Sequence, residues 1–450
     1  MKRSLCLVTI SMLLALTTAA SAQQADPLQY NPQVYARMVD ASSPETIAPG
    51  TKITVHNWTR YKNYFPFFIQ LGFQGQQHFR IIDSPEYAIE VGPTEVYPPP
   101  EAFRKDTEKY AGQTRLVPDA ATGGLNWVGY KAGTPFPNPA EPDKAAKIVY
   151  NAWAGYYQPF VLHEVSDNWL TDRFNNVFYE YTDNAFYRVG HLSDPPYPMN
   201  APDAPGGLIV NRFIEMVPEQ AKYTTALEVE TQDAAHLTED YVFLPSLRRS
   251  LRLSSAARCS PILGTDFVAD DSDWKPAFFR PELIGEKKVL VPIFSQEKIA
   301  YTRGALEGYV GGDLKPGQAF PGWPKAEYHK WQVRKAYVVN LKAGPVLGRG
   351  YCYSERIFFV DPESWRTLYA ENYDRNGKLY HIILSTVAPM MYQGQRTIQP
   401  RSYLGAMGWD FQNDHATSSM GYDITIDQDV PAQYRYPGVY TPAGLAQVMK

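Results

Sequence analysis

Four aspartates within eight residues form the densest group of potential metal ligands in the sequence. Asp266, Asp270, Asp271 and Asp273 follow a turn that Gly264 opens. Hard cations such as Ca²⁺ take several carboxylate oxygens, but the D-x-[DN]-x-[DN]-G spacing of a calcium loop is absent. Asp side chains also cap turns and pair with arginine. We therefore expect a structural turn here and no metal.

Two adjacent arginines, Arg248 and Arg249, end the strand-like run Tyr241–Arg249, shortly before these aspartates. The closeness of the basic and acidic groups predicts an ion-paired corner. The same two arginines are also candidates for a polar rim that holds an anionic head group. Local pairing with the aspartates is the preferred interpretation.

The sequence predicts no catalytic residue and no cofactor. Its eight histidines are scattered, and neither an H-E-x-x-H nor a G-x-S-x-G motif occurs. No P-loop and no G-x-G-x-x-G stretch supports nucleotide binding. Glu228 and Glu230 could act as the paired carboxylates of a glycosidase, but we expect them on a solvated strand face. A periplasmic hydrolase is therefore a minor alternative.

Cys259 and Cys352 are the two cysteines that follow the N-terminal segment. In an oxidising compartment they could form a disulfide. The sequence does not place them within bonding distance, so two separately buried thiols are an equal alternative. Neither belongs to a C-x-x-C motif, which argues against a redox or zinc site.

The first 22 residues have the pattern of a cleaved secretory signal. Lys2 and Arg3 precede an apolar stretch, and small residues end it at Ala22. The stretch is shorter than the roughly 20 residues that span a membrane. We therefore expect export and cleavage near Ala22. A formal net charge of −4 argues against a nucleic-acid partner.

The composition favours strands and irregular loops over helices, because the chain contains 32 Tyr, 21 Phe, 9 Trp and 37 Pro. Residues 23–143 form a covering region that is rich in Pro and Tyr. Residues 144–395 carry the strand-like runs, and 396–450 are predicted to be a C-terminal extension. The pattern over Lys144–Trp153 fits a helix or a strand equally well.

The clearest strand signals lie in the last third of the chain. The runs Trp331–Lys342, Tyr353–Val360 and Trp365–Tyr373 are followed by a D-R-N-G turn at 374–377. Because Asn-Gly tolerates the positive φ of a tight hairpin, we predict Lys378–Val387 as the partner strand. Together with shorter runs upstream, this spacing indicates an antiparallel meander.

Several segments of the chain resemble a periplasmic family known as domain of unknown function 1329. They are Tyr241–Arg249, Gly264–Trp274, Glu282–Pro292, Arg356–Trp365 and Glu371–Tyr380. Members of that family are labelled outer membrane lipoprotein-sorting proteins and are similar in fold to the carriers LolA and LolB. The resemblance implies an α+β fold that is predominantly antiparallel β. Its main part would be a strongly curved, half-open barrel sheet whose concave face is covered by helices and loops.

The resemblance also implies a function in the periplasm of a Gram-negative bacterium. The protein would carry a lipid or another lipophilic ligand in an apolar cavity of the curved sheet, without catalysis. Removing one methylene group from water is favourable by about 0.8 kcal/mol, so an acyl chain is far more stable in an apolar cavity than free in water. A membrane efflux pump of the resistance-nodulation-division type is an implied partner. The alternative function is a structural or docking subunit of an envelope transport complex.

Apolar residues of the predicted strands are the candidates for the cavity wall. A slip of one residue would exchange the two faces of a strand, so the choice of face is a hypothesis. Ordinary core packing is the alternative for each residue. The candidates are Tyr241, Phe243, Tyr337, Val339, Phe358, Trp365, Tyr369, Ile382 and Leu384.

Overall fold

The computed structural model describes residues 26–40, 46–75, 83–155, 160–174, 176–272, 274–294, 324, 326, 329–348, 350–386, 389–392, 394–398 and 406–449. The predicted signal segment, residues 1–22, lies outside these ranges, and so does Asp273. Within them, no helix combines the length and the apolar character needed to cross a membrane.

Strands dominate the described chain. In chain order they are β1 (Lys52–Ile53), β2 (Ile89–Glu90), β3 (Arg115–Pro118), β4 (Leu125–Val128), β5 (Val161–Thr171), β6 (Val177–Arg188), β7 (Gly207–Val217), β8 (Thr225–Thr231), β9 (Glu239–Leu244), β10 (Arg249–Arg252), β11 (Phe279–Phe294), β12 (His329–Ala343), β13 (Glu355–Val360), β14 (Thr367–Tyr373), β15 (Leu379–Ser385), β16 (Pro389–Tyr392), β17 (Gln395–Ile398), β18 (Ala406–Asp410) and β19 (His415–Ile426). The helices are α1 (Pro32–Asp40), α2 (Phe67–Phe73), α3 (Glu101–Tyr110), α4 (Lys144–Ala154) and α5 (Ala269–Ser272). The segment Lys144–Trp153, which fits either a helix or a strand in sequence, is therefore helical.

One antiparallel sheet of thirteen strands organises these elements. Its order is β10-β9-β8-β7-β6-β5-β19-β18-β15-β14-β13-β12-β11. The predicted hairpin in the last third is confirmed, since β14 and β15 pair across the D-R-N-G turn. Gly377 adopts φ 74° there, and the Asp374 side chain accepts the N–H groups of Asn376 and Lys378.

Two strands of the predicted C-terminal extension lie in the middle of this sheet. β19 pairs with β5 and β18, and β18 also pairs with β15. The sheet therefore does not end at residue 395. The sequence HATSSMG at the start of β19 is rich in small polar residues and lacks the apolar alternation that identifies a strand.

Both faces of the sheet are covered by other parts of the chain. In β13, Ile357 and Phe359 belong to one buried cluster, whereas Phe358 and Val360 belong to another on the opposite face. Strands that are buried on both faces carry nearly continuous apolar runs, as the sequence ERIFFV of β13 does. The alternation of apolar and polar residues therefore cannot show which side chains of such a strand point to which face of the sheet.

The sheet curves around α4. At one end of this helix, Lys144 Nζ lies 3.4 Å from a carboxylate oxygen of Glu286 in β11. At the other end, Lys275 Nζ lies 5.1 Å from the centre of the Trp153 ring and pairs with Glu230 in β8. β8 and β11 stand ten positions apart in the sheet. A flat sheet would separate them by about 48 Å, whereas an 11-residue helix is about 16 Å long. The face that holds α4 is therefore concave.

The predicted fold class is confirmed: the protein is a predominantly antiparallel, strongly curved open sheet with covering helices and loops. The convex face is covered by residues between Tyr35 and Phe103 and by C-terminal residues between Val430 and Leu445. On the concave face, Trp127, Tyr130 and Phe136 pack beside α4. The predicted covering region is thus divided between the two faces.

Candidate functional site

The concave face forms a trough, and one wall of this trough is apolar. Val339 and Leu341 of β12 and Phe358 and Val360 of β13 are buried there. Beside them the ring of Trp365 stacks on Tyr337 with the ring planes 9° apart. Large apolar side chains on neighbouring strands make a continuous surface that favours contact with other apolar groups.

Helix α4 fills the trough against this wall. Its buried face presents Ile148, Val149 and Trp153 to the same cluster. The buried Asn151 fixes the helix to the preceding linker, because its side-chain amide donates to the carbonyl of Phe136 and accepts the N–H of Phe136. The apolar wall is therefore covered by one short helix and a few aromatic side chains.

The opposite wall, on β5 to β8, is acidic. Glu164, Glu215, Glu228 and Glu230 are buried on it. The expectation that Glu228 and Glu230 lie on a solvated face is wrong, because α4 and the residues around Lys275 cover that face. Asn211 donates a hydrogen bond to Glu228, and Lys275 pairs with Glu230 at 2.5 Å.

Two carboxyl groups of the acidic wall have strongly raised pKa values. Burial raises the pKa of Glu180 to about 7. Burial, and to a lesser degree the charge of Glu180, raises the pKa of Glu215 to about 8. Loss of hydration disfavours a carboxylate more than a neutral carboxyl group. Near neutral pH this part of the wall therefore holds protons.

A cover segment, residues 259–272, closes the trough between the two walls. Cys259 and Cys352 are joined by a disulfide that anchors one end of this segment, with Cα atoms 5.6 Å apart. In its middle, Asp266 accepts hydrogen bonds from His415 and Thr417, each at 2.7 Å. The sequence did not decide between a disulfide and two separate thiols, and the structure contains the disulfide.

The aspartates of the cover segment are ion-paired, but with other partners than those predicted. Asp270 pairs with Arg258 and with the buried Arg356, and Asp271 also pairs with Arg356. Within the described ranges, no ion pair of Arg248 or Arg249 with these aspartates is present; both arginines are exposed near the β9–β10 edge. The prediction of an ion-paired corner therefore named the wrong arginines: the aspartates pair with Arg258 and Arg356. Arg356 lies in β13, far away in sequence, and only the fold brings it to Asp270.

The described residues contain no group of three or more His, Cys, Asp or Glu side chains that could hold a metal ion. Asp266, Asp270 and Asp271 instead direct their carboxylates to His415, Arg258 and Arg356. These partners neutralise the acidic segment.

A small cavity of about 70 Å³ remains between the cover segment and β5 to β7. Its floor is largely polar and its roof is largely apolar. The volume is far below the 300 Å³ or more of a typical ligand pocket. In the described part of the trough, α4 therefore occupies the space that the sequence assigns to an oily ligand.

A larger cavity of about 540 Å³ opens to solvent beside the N-terminal end of α4. We call it the entry groove. Leu116, Phe136 and Lys147 contribute to its lining. Phe136 also belongs to the trough cluster, so the groove connects solvent with the apolar packing around α4. The local sequence contains prolines but no other pattern from which this groove could have been predicted.

The predicted wall residues lie on both faces of the sheet. Tyr337, Val339, Phe358 and Trp365 face the trough. On the convex face, Tyr369, Ile382 and Leu384 contact the N-terminal cover, and Tyr241 and Phe243 contact the C-terminal cover. These nine residues therefore cannot line one cavity. Because both faces are apolar, the sequence pattern did not separate them.

Comparisons with solved structures find several weak likenesses. An outer membrane lipoprotein-sorting protein domain from Vibrio parahaemolyticus is 14% identical, with a TM-score of 0.45 over 68% of this chain and 99% of the other. A DUF1329 family protein from Desulfovibrio piger is 10% identical, with a TM-score of 0.46 over 67% and 98%. A LolA superfamily protein from Nitrosomonas europaea is 12% identical, with a TM-score of 0.37 over 66% and 97%.

No curated protein matches the sequence. A family model, described as protein of unknown function (DUF1329), matches residues 52–445. This range includes the thirteen strands of the large sheet and the helix that fills its trough. The predicted relationship is thereby confirmed, and the chain belongs to the DUF1329 family.

Proposed function

We propose that this protein is a periplasmic carrier that binds a lipid or another lipophilic ligand in the trough, without catalysis. The observation that supports it best is the entry groove. Its lining residue Phe136 also packs in the apolar cluster around α4. A volume of about 540 Å³ falls in the range of small-molecule sites.

In this proposal α4 occupies the place of the ligand while the protein is empty. An exposed apolar wall would be unfavourable in water by about 25 cal/mol for each Å². The helix covers Val339 and Phe358 until an acyl chain replaces it. The linker before α4 and Gly155 after it, with φ 74°, flank the helix without regular structure, so the helix can shift as a unit.

Native mass spectrometry of the protein, purified from periplasm without detergent, tests this proposal. We expect a co-purified lipophilic molecule at one per chain. The variant Ala140→Trp would fill the entry groove at an exposed position, and we expect it to purify empty. Ala432→Trp, exposed on the convex side, is the matched control and should retain the ligand. A wild-type protein that is empty and takes up no added lipid contradicts the proposal.

A second candidate function, a docking subunit of an envelope complex, is favoured by one feature. At the tip of the β5–β6 hairpin, Phe174 is 70% exposed and Phe178 is 58% exposed. Apolar side chains grouped on a surface often mark an interaction site. If the protein purifies empty but together with an envelope partner, and Phe174→Ser with Phe178→Ser abolishes that association, the docking function is supported instead. A pump of the resistance-nodulation-division type remains a prediction for that partner.

A further inference from the structure

We propose that the cavity beneath the cover segment receives a primary ammonium group, the polar end of the ligand that the trough carries. This inference rests on the carrier function proposed above. It adds the chemical class of the head group and the residues that select it.

The cavity has the size of a head group. Its volume of about 70 Å³ corresponds to about two water molecules, which suits a small polar group and excludes an acyl chain. Its floor consists of side chains on β5, β6, β7 and β19, which are polar except for Phe213 of β7, and its roof is provided by the cover segment. The floor residues are Ser166, Asn168, Glu180, Thr182, Asn184, Phe213 and Ser419; the roof residues are Ile262, Leu263, Thr265 and Phe267.

Hydrogen-bond acceptors are left unused in this floor. Asn184 is 3% exposed, and its amide N–H₂ donates to the Ser166 hydroxyl at 2.9 Å. The amide oxygen of Asn184 has no partner among the described residues, and neither has Oε2 of Glu180. A buried acceptor without a hydrogen-bond donor is unfavourable. The floor therefore offers acceptors to a ligand that brings N–H or O–H donors.

A second carboxyl group lies beside the cavity. Glu215 in β7 stands directly opposite Thr182 of the floor and is 1% exposed. Neither of its carboxylate oxygens has a hydrogen-bond partner among the described residues. Glu215 and the half-buried Glu180 have buried carboxylate oxygens without a described cation within bonding distance, which favours a positively charged guest.

The perturbed acidity of the two groups agrees with an empty cation site. Burial raises the pKa of Glu180 to about 7 and, together with the charge of Glu180, that of Glu215 to about 8. None of the other residues in the floor and roof titrates near neutral pH. An ammonium group would supply the missing charge and lower both pKa values.

The geometry favours a primary ammonium over other guests. An anion brings no N–H donor for the floor acceptors, and the ionised fraction of Glu180 and Glu215 would repel it. A trimethylammonium group carries no N–H, so it would leave the Asn184 oxygen and Glu180 Oε2 without donors. A primary ammonium has three N–H donors for these acceptors. Phe213 in the floor and Phe267 in the roof would contact the methylene groups next to the nitrogen.

Isothermal titration calorimetry of the full mature chain tests the inference with three probes. They are dihexanoyl phosphatidylethanolamine, dihexanoyl phosphatidylcholine and free ethanolamine. We expect the ethanolamine lipid to bind about tenfold more tightly than the choline lipid. In Glu180→Gln this preference should fall below about threefold, while the choline lipid binds as before. Glu219→Gln, at an exposed position between β7 and β8, is the matched control and should keep the wild-type preference.

The outcomes separate this inference from the carrier function. Equal binding of both lipids overturns the ammonium site and leaves the carrier intact. Binding of ethanolamine with neither lipid supports the ammonium site and overturns the carrier. Failure of all three probes overturns both. A preference that survives in Glu180→Gln and in Glu215→Gln overturns the placement of the head group in this cavity.

A measurement on the wild-type protein covers the case in which these variants fail to fold. Because the pKa values of Glu180 and Glu215 are raised to about 7 and about 8, both groups are at least partly protonated at pH 7, and an ammonium group should release protons from them on binding. The heat of binding should then differ between phosphate and Tris buffers for the ethanolamine lipid and not for the choline lipid. Equal heats in the two buffers contradict the inference.

Discussion

Lys275 and Glu230 form an ion pair of 2.5 Å in which neither side chain reaches solvent, with exposures of 0% and 1%. Lys275 follows the cover segment closely in sequence, and Glu230 lies in β8 on the acidic wall. The pair also lies beside Trp153 of α4, 5.1 Å from its ring centre. One contact therefore joins the cover, the helix that fills the trough and the sheet.

Replacing Lys275 with Met should destabilise the protein strongly. The substitution leaves the Glu230 carboxylate buried without its cation, and such a loss costs about 3–5 kcal/mol. The free energy of unfolding from urea titration measures it. Lys222→Met is the matched control, because its partner Glu219 is 81% exposed and such surface pairs contribute at most about 1 kcal/mol. Similar losses in the two variants would contradict the importance of the buried pair.

The disulfide should contribute a large part of the stability. Cys259 and Cys352 are separated by 93 residues, and closing a loop of that length stabilises a protein by about 4–5 kcal/mol in the chain-entropy model. The double variant Cys259→Ser with Cys352→Ser should lose about that amount in urea titration. Thiol titration of unreduced, unfolded protein that comprises residues 23–450, and so lacks Cys6, should detect no free thiol. Two titratable thiols, or a loss below about 1 kcal/mol, would contradict the bond.

Gly408 in β18 allows Phe267 of the cover segment to lie directly on the sheet. A Cβ atom at this position would approach the Phe267 ring to 2.9 Å. We expect Gly408→Ala to cost about 1–3 kcal/mol and to increase proteolysis within the cover segment. Gly350→Ala is the control, because a Cβ there meets nothing within 4 Å. An unchanged melting temperature and unchanged proteolysis in Gly408→Ala would show that Phe267 does not hold the cover in place.

Glu371 on the convex face should make stability fall as pH rises. Burial raises its pKa to about 7, against the opposing effect of hydrogen bonds from the Tyr35 hydroxyl and the Phe68 N–H. The unfolded chain releases this proton near pH 4.5, so the folded state binds more protons between about pH 4.5 and 7. Stability from this group is fully present below pH 4.5 and is lost through pH 7.

The variant Glu371→Gln tests this sign, because the amide cannot ionise. Its oxygen can still accept the Phe68 N–H, and its NH₂ group would then donate to the Tyr35 hydroxyl oxygen. The fall in unfolding free energy from pH 5 to pH 8 should shrink by up to about 3 kcal/mol relative to wild type. Glu108→Gln, at an exposed position of α3, should leave the fall unchanged. An identical pH dependence in wild type and Glu371→Gln would show that Glu371 is already ionised at pH 5.

The sequence predicts the last third of the sheet well and the middle poorly. In β12 to β15, β-branched and aromatic residues and an Asn-Gly turn identify each strand. In β5, the trough-facing positions Glu164, Ser166 and Asn168 are polar although they are buried. That pattern resembles a loop, and its meaning depends on partners such as β19 that lie more than 200 residues away in sequence.

The trough itself could not be located from the sequence. Tyr369 and Phe358 are both aromatic and both buried, but they lie on opposite faces of the sheet. The face becomes known only from what covers it, and α4 and the N-terminal segments cover different faces. Likewise, Asp270 pairs with Arg258 and with Arg356 from β13, and no ion pair with Arg248 is present among the described residues. The contact with Arg356 depends on the fold and not on distance in sequence.

Hydrogen–deuterium exchange of α4 tests the central claim most directly. In the empty protein the amides of residues 144–154 should be protected, since the helix is packed against the trough wall. Addition of saturating dihexanoyl phosphatidylethanolamine should accelerate exchange in α4 while α2, on the convex face, keeps its protection. Unchanged protection of α4 with bound lipid would contradict the account, because the ligand would then occupy a place other than the trough.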